Sequence, residues 1–567
     1  MLSLLLSATV LSAPLPALAS DDIAIVDGTP SATACAALGF APQPDGDADG
    51  VGGSGGVLRK MAPMPSIGLA APPSPVAPTG GYVPKLVQAY EAARDTERYP
   101  DATPNPVKQA ASDPVSTFSI DVDTASYANV RKFLTDGHLP PRDAVRVEEL
   151  VNYFDYGYAQ PASPDTPFAV SVAVTPSPWA PGREIIHIGL QGYDLPAADQ
   201  PPMNLVFLMD VSGSMNAPDK LPLVQKALNL LVDQLRPEDR VAIAVYAGAA
   251  GAVLAPTPGN QKLKIRCAID SVHAGGSTAG GEGLALAYAM AEEGFGKAAV
   301  NRVILMTDGD FNVGIADPEK LEDFVAGKRK TGIYLSVYGF GRGNYNDTMM
   351  QTLSQSGNGT AAYIDTFDEA RKLFRDDFSG SLFPIADDVK IQVEFNPAKI
   401  AEYRLIGYET RLLDRSDFNN DAVDAGEVGA GASVTALYEV TPVGGPLTVD
   451  PLRYQDTPKA GSPDGELAYL KIRYKLPGGT TSTLIERAIG EGDRPAALDG
   501  APEATRWALA VAAYGQLLRG DPYIGAGYGW NDVLTLAQGA RGDDPFGLRA
   551  EFVQLVRAAT TATSVNN

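Results

Sequence analysis

The hydrophobic and polar positions between residues 202 and 374 follow two alternating patterns. Short apolar runs such as NLVFLMD, RVAIAVY and RVILMTD are separated by longer amphipathic stretches. In KLPLVQKALNLLVDQL the apolar residues recur every three or four positions, which is the spacing of one buried helix face. Strands that are apolar throughout and that alternate with helices favour a mostly parallel sheet covered on both faces. Residues 201–375 are therefore predicted to form a doubly wound α/β domain.

The pattern changes to a period of two on both sides of this segment, as in strands with one solvated face. FAVSVAVTP and EIIHIGLQG precede the α/β segment, and VKIQVEF, SVTALYEV and LAYLKIRYK follow it. We predict an N-terminal extension over residues 113–200, which includes a helix in TASYANVRKFLTDG capped by Asp123 or Thr124, and a β-rich domain over residues 376–500. We expect the two sets of strands to form one β-rich domain into which the α/β domain is inserted, with EIIHIGLQG and VKIQVEF in one sheet.

The two ends of the chain differ in composition. Residues 501–567 are predicted to be helical, with the apolar positions of EATRWALAVAAYGQLLRG in the core. From Ala41 to about Pro84 the chain consists mainly of Pro, Gly, Ala and Ser, which cannot bury enough surface to offset the entropy of ordering. We therefore predict a low-complexity flexible tether over residues 20–112, and we expect folded structure to resume near Asp113.

The first residues, MLSLLLSATVLSAPLPALA, form an apolar segment that ends in the small-x-small pattern of a signal peptidase site. The basic residues that usually precede such a segment are missing, and a short buried helix is the alternative. We expect residues 1–19 to be a signal peptide and the chain to be exported to the periplasm or the cell surface. No later run has the roughly 18 apolar residues that span a bilayer, so no transmembrane helix is expected in the mature chain.

Charge and cysteine content exclude several classes of protein. Lys and Arg number 45 against 68 Asp and Glu, and a formal charge of -23 disfavours nucleic acid and anionic membranes as partners. Two cysteines, Cys35 and Cys267, exclude a cysteine-rich zinc site and leave a single disulfide open. The chain has three histidines and neither a phosphate-binding G-x-x-x-x-G-K-[ST] loop nor H-E-x-x-H. We therefore expect that it is not an enzyme.

Oxygen-bearing side chains follow the predicted strands of the α/β segment, where ligands bind in such folds. Asp210, Ser212 and Ser214 follow NLVFLM, Asp308 follows RVILM, and Thr278 lies in the loop GGSTAGGEG. Such ligands suit a hard divalent cation, Mg²⁺ in the first place, with Ca²⁺ or Mn²⁺ as alternatives. The competing interpretation is that Asp210 and the serines only cap the next helix.

Three further residues near this group stay open. Ser277 is the alternative to Thr278 as a metal ligand, because a shift of one residue exchanges them. The acids Glu282 and Asp310 are also nearby and are expected to be solvated.

The types and order of the five residues resemble the von Willebrand factor type A (VWA) domain and its metal-ion-dependent adhesion site. The resemblance implies that the hydroxyls of Ser212, Ser214 and Thr278 bind the metal directly, while Asp210 and Asp308 often act through water. It also implies an open coordination position that an acidic side chain of a protein partner fills.

The flanking segments PVSTFSIDVDTASYANVRKFL and ARGDDPFGLRAEFVQLVR resemble a family of bacterial exported VWA proteins with an N-terminal extension and an uncharacterised C-terminal domain. Some members look like lipoproteins, whereas this chain lacks the acylated cysteine in its signal segment. The resemblance implies a metal-dependent protein-binding module of the cell envelope. A structural envelope protein with a purely stabilising metal is the alternative, and a hydrolytic enzyme is a weaker one.

Overall fold

The computed structural model describes residues 25–26, 29–40, 97–101, 103–120, 123–275, 281–309, 317–423, 425–450, 465–495 and 497–566. Within these ranges, no helix combines the length and the apolar character needed to cross a membrane.

The described residues before the α/β domain include three α-helices and six strands. They are β1 (Ile25–Val26), β2 (Thr29–Pro30), α1 (Ala32–Ala37), β3 (Lys108–Gln109), β4 (Val115–Ser119), α2 (Ala125–Thr135), α3 (Val147–Val151), β5 (Phe168–Pro176) and β6 (Glu184–Gly192).

The α/β domain alternates strands and helices as its sequence predicts. Its elements are β7 (Met203–Asp210), α4 (Leu221–Gln234), β8 (Arg240–Tyr246), β9 (Ala250–Pro258), α5 (Lys262–Asp270), α6 (Gly281–Glu293), β10 (Val300–Thr307), α7 (Pro318–Arg329), β11 (Ile333–Phe340), α8 (Asp347–Ser356) and β12 (Ala361–Ile364). The strand order is β12-β11-β10-β7-β8-β9, and every pair is parallel except that of the edge strand β9 with β8.

Helices cover both faces of this sheet. On β7, Leu205 and Phe207 lie in the same apolar cluster as Leu228 of α4. The intervening residue Val206 lies in the cluster of Leu284 on α6. Successive side chains of a strand point to opposite faces, so β7 is apolar throughout because both of its faces are buried. The prediction of a doubly wound, mostly parallel sheet is confirmed.

The remainder of the chain holds the later strands and the C-terminal helices. These are α9 (Phe367–Arg371), α10 (Phe378–Leu382), β13 (Pro384–Phe395), β14 (Ile400–Ile406), β15 (Val428–Gly429), β16 (Ser433–Pro442), β17 (Glu466–Lys475), β18 (Thr483–Gly490), α11 (Glu503–Arg519), α12 (Trp530–Gly539) and α13 (Leu548–Asn566).

Strands from before and after the α/β domain pair with one another in two sheets. One sheet has the order β15-β13-β17-β18, with β4 also paired to β13, and the other has the order β3-β14-β16-β6-β5. Phe395 of the first sheet stacks on Tyr403 of the second, with ring centroids 4.1 Å apart. The α/β domain is thus inserted into a β-sandwich. The expectation that β6 and β13 share a sheet is wrong, since period-two patterns do not specify which sheet a strand joins.

Folded structure also begins earlier than Asp113. Residues 41–96 lie outside the described residues, but α1 is joined to α5 by a disulfide between Cys35 and Cys267. Asn105 is buried and donates hydrogen bonds to two backbone carbonyls, including that of Gly407 at 2.7 Å. The tether predicted over residues 20–112 is therefore wrong at both ends.

The predicted capping role of Asp123 is also not observed. Thr124 occupies the N-cap position of α2 without a capping hydrogen bond from its side chain. The Asp123 carboxylate instead accepts a hydrogen bond from the Ala361 N–H at 2.8 Å and pairs with Arg411 at 2.9 Å. It therefore ties the extension to both the α/β domain and the sandwich.

The C-terminal region is helical as predicted, and most apolar positions of its first helix are buried. Trp507, Leu509, Val511 and Tyr514 of α11 are fully buried.

The imidazole of His187 on β6 is also buried and contacts the Tyr158 hydroxyl at 2.8 Å. Burial lowers the pKa of His187 to about 3, because the charged imidazolium would lose its hydration.

Replacing His187 with Gln should make the sandwich less sensitive to mild acid. The folded state binds no proton at His187 until the pH approaches 3, whereas the unfolded chain takes one up near pH 6.5. This contribution to stability is present above pH 6.5 and is lost as the pH falls. Between pH 6.5 and 5.0 the wild-type protein should lose about 2 kcal/mol more than the variant. Urea unfolding at both pH values measures the difference, and equal losses would contradict it.

Candidate metal centre

The candidate site lies where the two central strands of the parallel sheet end. Met306 of β10 is the direct neighbour of Met209 of β7 in a parallel pair. The next residues, Asp210 on one strand and Thr307 and Asp308 on the other, therefore emerge side by side at the carboxyl edge. Parallel pairing therefore places the carboxylates of Asp210 and Asp308 next to each other at this edge of the sheet.

Asp210 is fully buried and held by hydrogen bonds on both oxygens. Its Oδ1 accepts from the Ser212 N–H at 2.8 Å, and its Oδ2 accepts from the hydroxyls of Thr307 at 3.2 Å and Tyr246 at 3.3 Å. Burial raises the pKa of Asp210, and the negative charge of Asp308 raises it further, while the hydrogen bonds from Ser212 lower it. A nearby cation would favour the ionised form.

The two serines of the motif lie together on the loop after β7. The Ser212 and Ser214 hydroxyl oxygens are 3.0 Å apart, so one donates to the other. Ser212 is buried, whereas Ser214 is exposed. The loop therefore presents two adjacent hydroxyl oxygens beside the Asp210 carboxylate, one of them open to solvent.

Asp308 carries a partner that the sequence analysis missed. Its Oδ2 accepts a hydrogen bond from the Lys220 ammonium at 2.8 Å, and both side chains are buried. Gly341 allows this approach, because a Cβ at that position would lie 2.3 Å from the Lys220 side chain. Lys220 lies between an acidic loop residue and the start of a helix. A lysine at such a place belongs to no recognisable motif, so the sequence did not indicate its contact with Asp308.

The loop that carries Thr278 and its alternative Ser277 lies outside the described residues, as does Asp310. The chain approaches the rim just before this loop, since the Gly275 N–H donates to the Val211 carbonyl at 2.7 Å. Glu282 lies exposed in the first turn of α6. The structure therefore brings together Asp210, Ser212, Ser214 and Asp308, while the role of Thr278 stays a prediction.

The chemistry of this rim fits a hard divalent cation. Two buried carboxylates and two hydroxyls supply oxygen ligands alone, the set that Mg²⁺, Ca²⁺ and Mn²⁺ prefer. In the described part of the chain, no group of three or more His, Cys, Asp or Glu residues is placed to hold a metal. A cation at this rim would therefore need the serine hydroxyls as well as Asp210 and Asp308.

A doubly wound sheet with Asp-x-Ser-x-Ser at the end of β7 defines a VWA domain. Residues 204–376 match the von Willebrand factor type A domain family. Residues 93–187 match the family described as von Willebrand factor, and residues 380–562 match "Uncharacterized protein YfbK, C-terminal". The chain is 46% identical to "Uncharacterized protein YfbK" of Escherichia coli (strain K12) over 498 residues, which is 86% of each chain. It belongs to the YfbK family of VWA domain proteins.

More distant similarities are confined to parts of the chain. Inter-alpha-trypsin inhibitor heavy chain H3 of Mesocricetus auratus is 25% identical over 256 residues, which is 42% of this chain and 29% of that protein. The solved von Willebrand factor type A structure from Catenulispora acidiphila is 17% identical and covers 70% of this chain and 91% of its own, with a TM-score of 0.39. Proximal thread matrix protein 1 from the mussel byssus, solved with a zinc-occupied MIDAS motif, is 22% identical and covers 33% and 46%, with a TM-score of 0.26.

Replacing Lys220 with Met should destabilise the metal-free protein and make it depend on added Mg²⁺. Loss of the ammonium leaves the buried Asp308 carboxylate without this cation, which should cost about 3 kcal/mol. A divalent cation supplies positive charge at the same rim, so millimolar Mg²⁺ should raise the Tm of the variant more than that of the wild type.

The matched control is Lys226→Met, which removes an exposed lysine from α4, the helix that follows Lys220. Differential scanning calorimetry with Mg²⁺ or with EDTA measures the shifts. If Mg²⁺ shifts the Tm of Lys220→Met no more than that of Lys226→Met, the metal does not act at Asp308.

Proposed function

We propose that this protein is an exported VWA module that binds a protein partner through a divalent cation, most simply Mg²⁺, at the rim formed by Asp210, Ser212, Ser214 and Asp308. VWA domains are generally protein-interaction modules that bind a divalent cation at this position, and the chain has such a domain. The observation that carries the proposal is the pair of buried carboxylates beside two adjacent hydroxyls at the end of the central strands.

Each residue has a distinct task in this proposal. Ser214 is exposed and Ser212 lies beside it, so their hydroxyls are the direct ligands, with Thr278 as a third. Asp210 is held by three donors, which fixes its orientation and suits a role through ordered water. A divalent cation bound at this rim would supply an open coordination position for a carboxylate.

The charge balance at the rim favours an acidic partner. Asp210 and Asp308 carry two negative charges, and among the described residues Lys220 supplies one positive charge in direct contact. A divalent cation would therefore change a net negative rim into a net positive one. The chain as a whole carries a formal charge of -23 and would repel a polyanion. The positive charge at the metal-bound rim would therefore select a single carboxylate group.

The disulfide between Cys35 and Cys267 supports export. Disulfides form and persist in oxidising compartments such as the periplasm and are rare in the bacterial cytoplasm. Both cysteines are buried, and their bond attaches the segment that follows the proposed signal peptide to α5 of the VWA domain. This pairing and the apolar segment at residues 1–19 point to the same compartment, the periplasm or the cell surface.

A hydrolytic function receives less support from the geometry. Among the described residues, Ser212 and Ser214 hydrogen-bond to each other rather than to a histidine. His187 is buried beside Tyr158 in the sandwich, while His138 and His273 are exposed. The acids next to the serines belong to the proposed metal site.

Partner binding should require both the metal and the exposed hydroxyl. We expect a pull-down from cell-envelope extract with the mature wild-type protein in Mg²⁺ to retain a partner that EDTA releases. Asp210→Ala and Ser214→Ala should both lose this partner in Mg²⁺, because each removes part of the coordination shell. Quantitative mass spectrometry of the retained proteins measures the loss.

The control is Asp199→Ala, which removes an exposed acid before β7, at the opposite edge of the sheet. It should retain the partner as the wild type does, and circular dichroism should show that all variants are folded. Equal recovery with Mg²⁺ and with EDTA would mean that the metal only stabilises the protein. The sandwich or the C-terminal helices would then be the surfaces to test.

Export predicts the oxidation state of the two cysteines. When cells that express the full chain are lysed under denaturing conditions, which expose the buried sulfurs, both cysteines should be blocked from a maleimide-polyethylene glycol reagent until a reductant is added, because they are paired outside the cytoplasm. Deletion of residues 1–19 should retain the chain in the cytoplasm with both thiols reactive. Reactive thiols in the full-length chain, or blocked thiols in the deletion variant, would contradict export.

A further inference from the structure

The Lys220 side chain is held in place beside the candidate metal rim. Its Nζ donates to the Asp308 Oδ2 at 2.8 Å, and the residue is 7% exposed. Its stem lies along the backbone of Gly341, because a Cβ at that glycine would come within 2.3 Å of the Lys220 Cγ and Cε. The ammonium group is therefore a built-in part of the rim.

The backbone of Lys220 is anchored as well. Its N–H donates to the Ala217 carbonyl at 3.0 Å, and its carbonyl accepts from the N–H groups of Leu223 and Val224 at 2.9 Å. The turn before α4 thus holds the backbone, while Gly341 lies against the stem. A cation that binds at the rim would therefore share it with the Lys220 ammonium group.

This ammonium group changes the charge that a metal ion would meet at the rim and the charge that would remain afterwards. Asp210 and Asp308 are fully buried carboxylates, and Lys220 adds one positive charge to their two negative charges. A divalent cation would leave these three groups with one net positive charge. Without the ammonium group, the same cation would only neutralise the two carboxylates.

The retained positive charge has opposite effects on a cation and on an anion. An ammonium group repels a metal ion nearby and attracts a carboxylate, and salt screens such interactions less at a buried site than at an exposed one. Lys220 should therefore weaken the binding of the metal alone. It should strengthen the binding of a carboxylate once the metal is present.

We propose that Lys220 is the residue that couples metal binding to carboxylate binding at this rim. The inference rests on the proposed metal-dependent function and adds its regulation. Lys220 keeps the affinity for the free cation low, so that the rim binds metal most strongly together with an acidic group. By thermodynamic linkage, the carboxylate raises the metal affinity by the same factor by which the metal raises the carboxylate affinity.

The test is isothermal titration calorimetry of Mg²⁺ into the metal-free mature protein, in sodium acetate and in sodium chloride of equal ionic strength. We expect acetate to raise the Mg²⁺ affinity of the wild type. Lys220→Gln keeps a hydrogen-bond donor for Asp308 but removes the charge. It should bind Mg²⁺ at least about tenfold more tightly in chloride and gain less from acetate. Lys226→Gln, which removes an exposed charge from α4, should behave as the wild type.

Lys220→Arg retains the positive charge and should respond to acetate as the wild type does, and circular dichroism should show that the variants are folded. Equal Mg²⁺ affinity of the wild type and Lys220→Gln, or an equal gain from acetate in both, would overturn the coupling role and leave the metal site intact. No effect of acetate on the wild type would overturn it whether or not the variants fold. Absence of Mg²⁺ binding to the wild type in both salts would instead overturn the proposed function itself.

Discussion

Two buried arginines of the N-terminal extension hold the inserted VWA domain in place. Arg146 pairs with Asp347 at the start of α8 at 2.6 Å, and Arg131 pairs with Glu369 at 2.7 Å and with Glu551 of α13 at 3.1 Å. The contact with Glu551 also joins the VWA domain to the C-terminal helices through the same guanidinium. In a low-dielectric interior, removing one member of such a pair leaves an uncompensated buried charge, which costs several kcal/mol. The orientation of the domain is therefore held by charge as well as by apolar contact.

This orientation produces two chemically different ends of one strand. Arg302 and Asp308 both belong to the stretch that forms β10 and its end, six positions apart, which corresponds to roughly 20 Å of extended chain. At the carboxyl end, negative charge exceeds positive charge and oxygen atoms converge. Near the other end, a guanidinium is enclosed by the sandwich. A cation suits the first environment, and the hydrophobic middle of the strand separates the two.

The candidate site shows how far local patterns predict function. Asp210, Ser212 and Ser214 are neighbours in sequence, so their convergence follows from the end of one strand. Asp308 follows from the parallel pairing of two strands that the apolar pattern predicts. The Lys220 contact with Asp308 depends on the space left at Gly341, which lies 121 positions further along the chain. No local pattern carries that information.

The sequence by itself determined the elements of this protein, because helix and strand periods record which faces are buried. It determined the doubly wound domain, the strand-end position of the candidate-site residues and the helical C-terminal core. The tertiary structure alone decided which sheet each flanking strand joined, that Cys35 pairs with Cys267, and that Asp123 bridges domains instead of capping α2. Those outcomes depend on contacts between residues far apart in the chain, whose energies come from buried charge and packing and leave no period in the sequence.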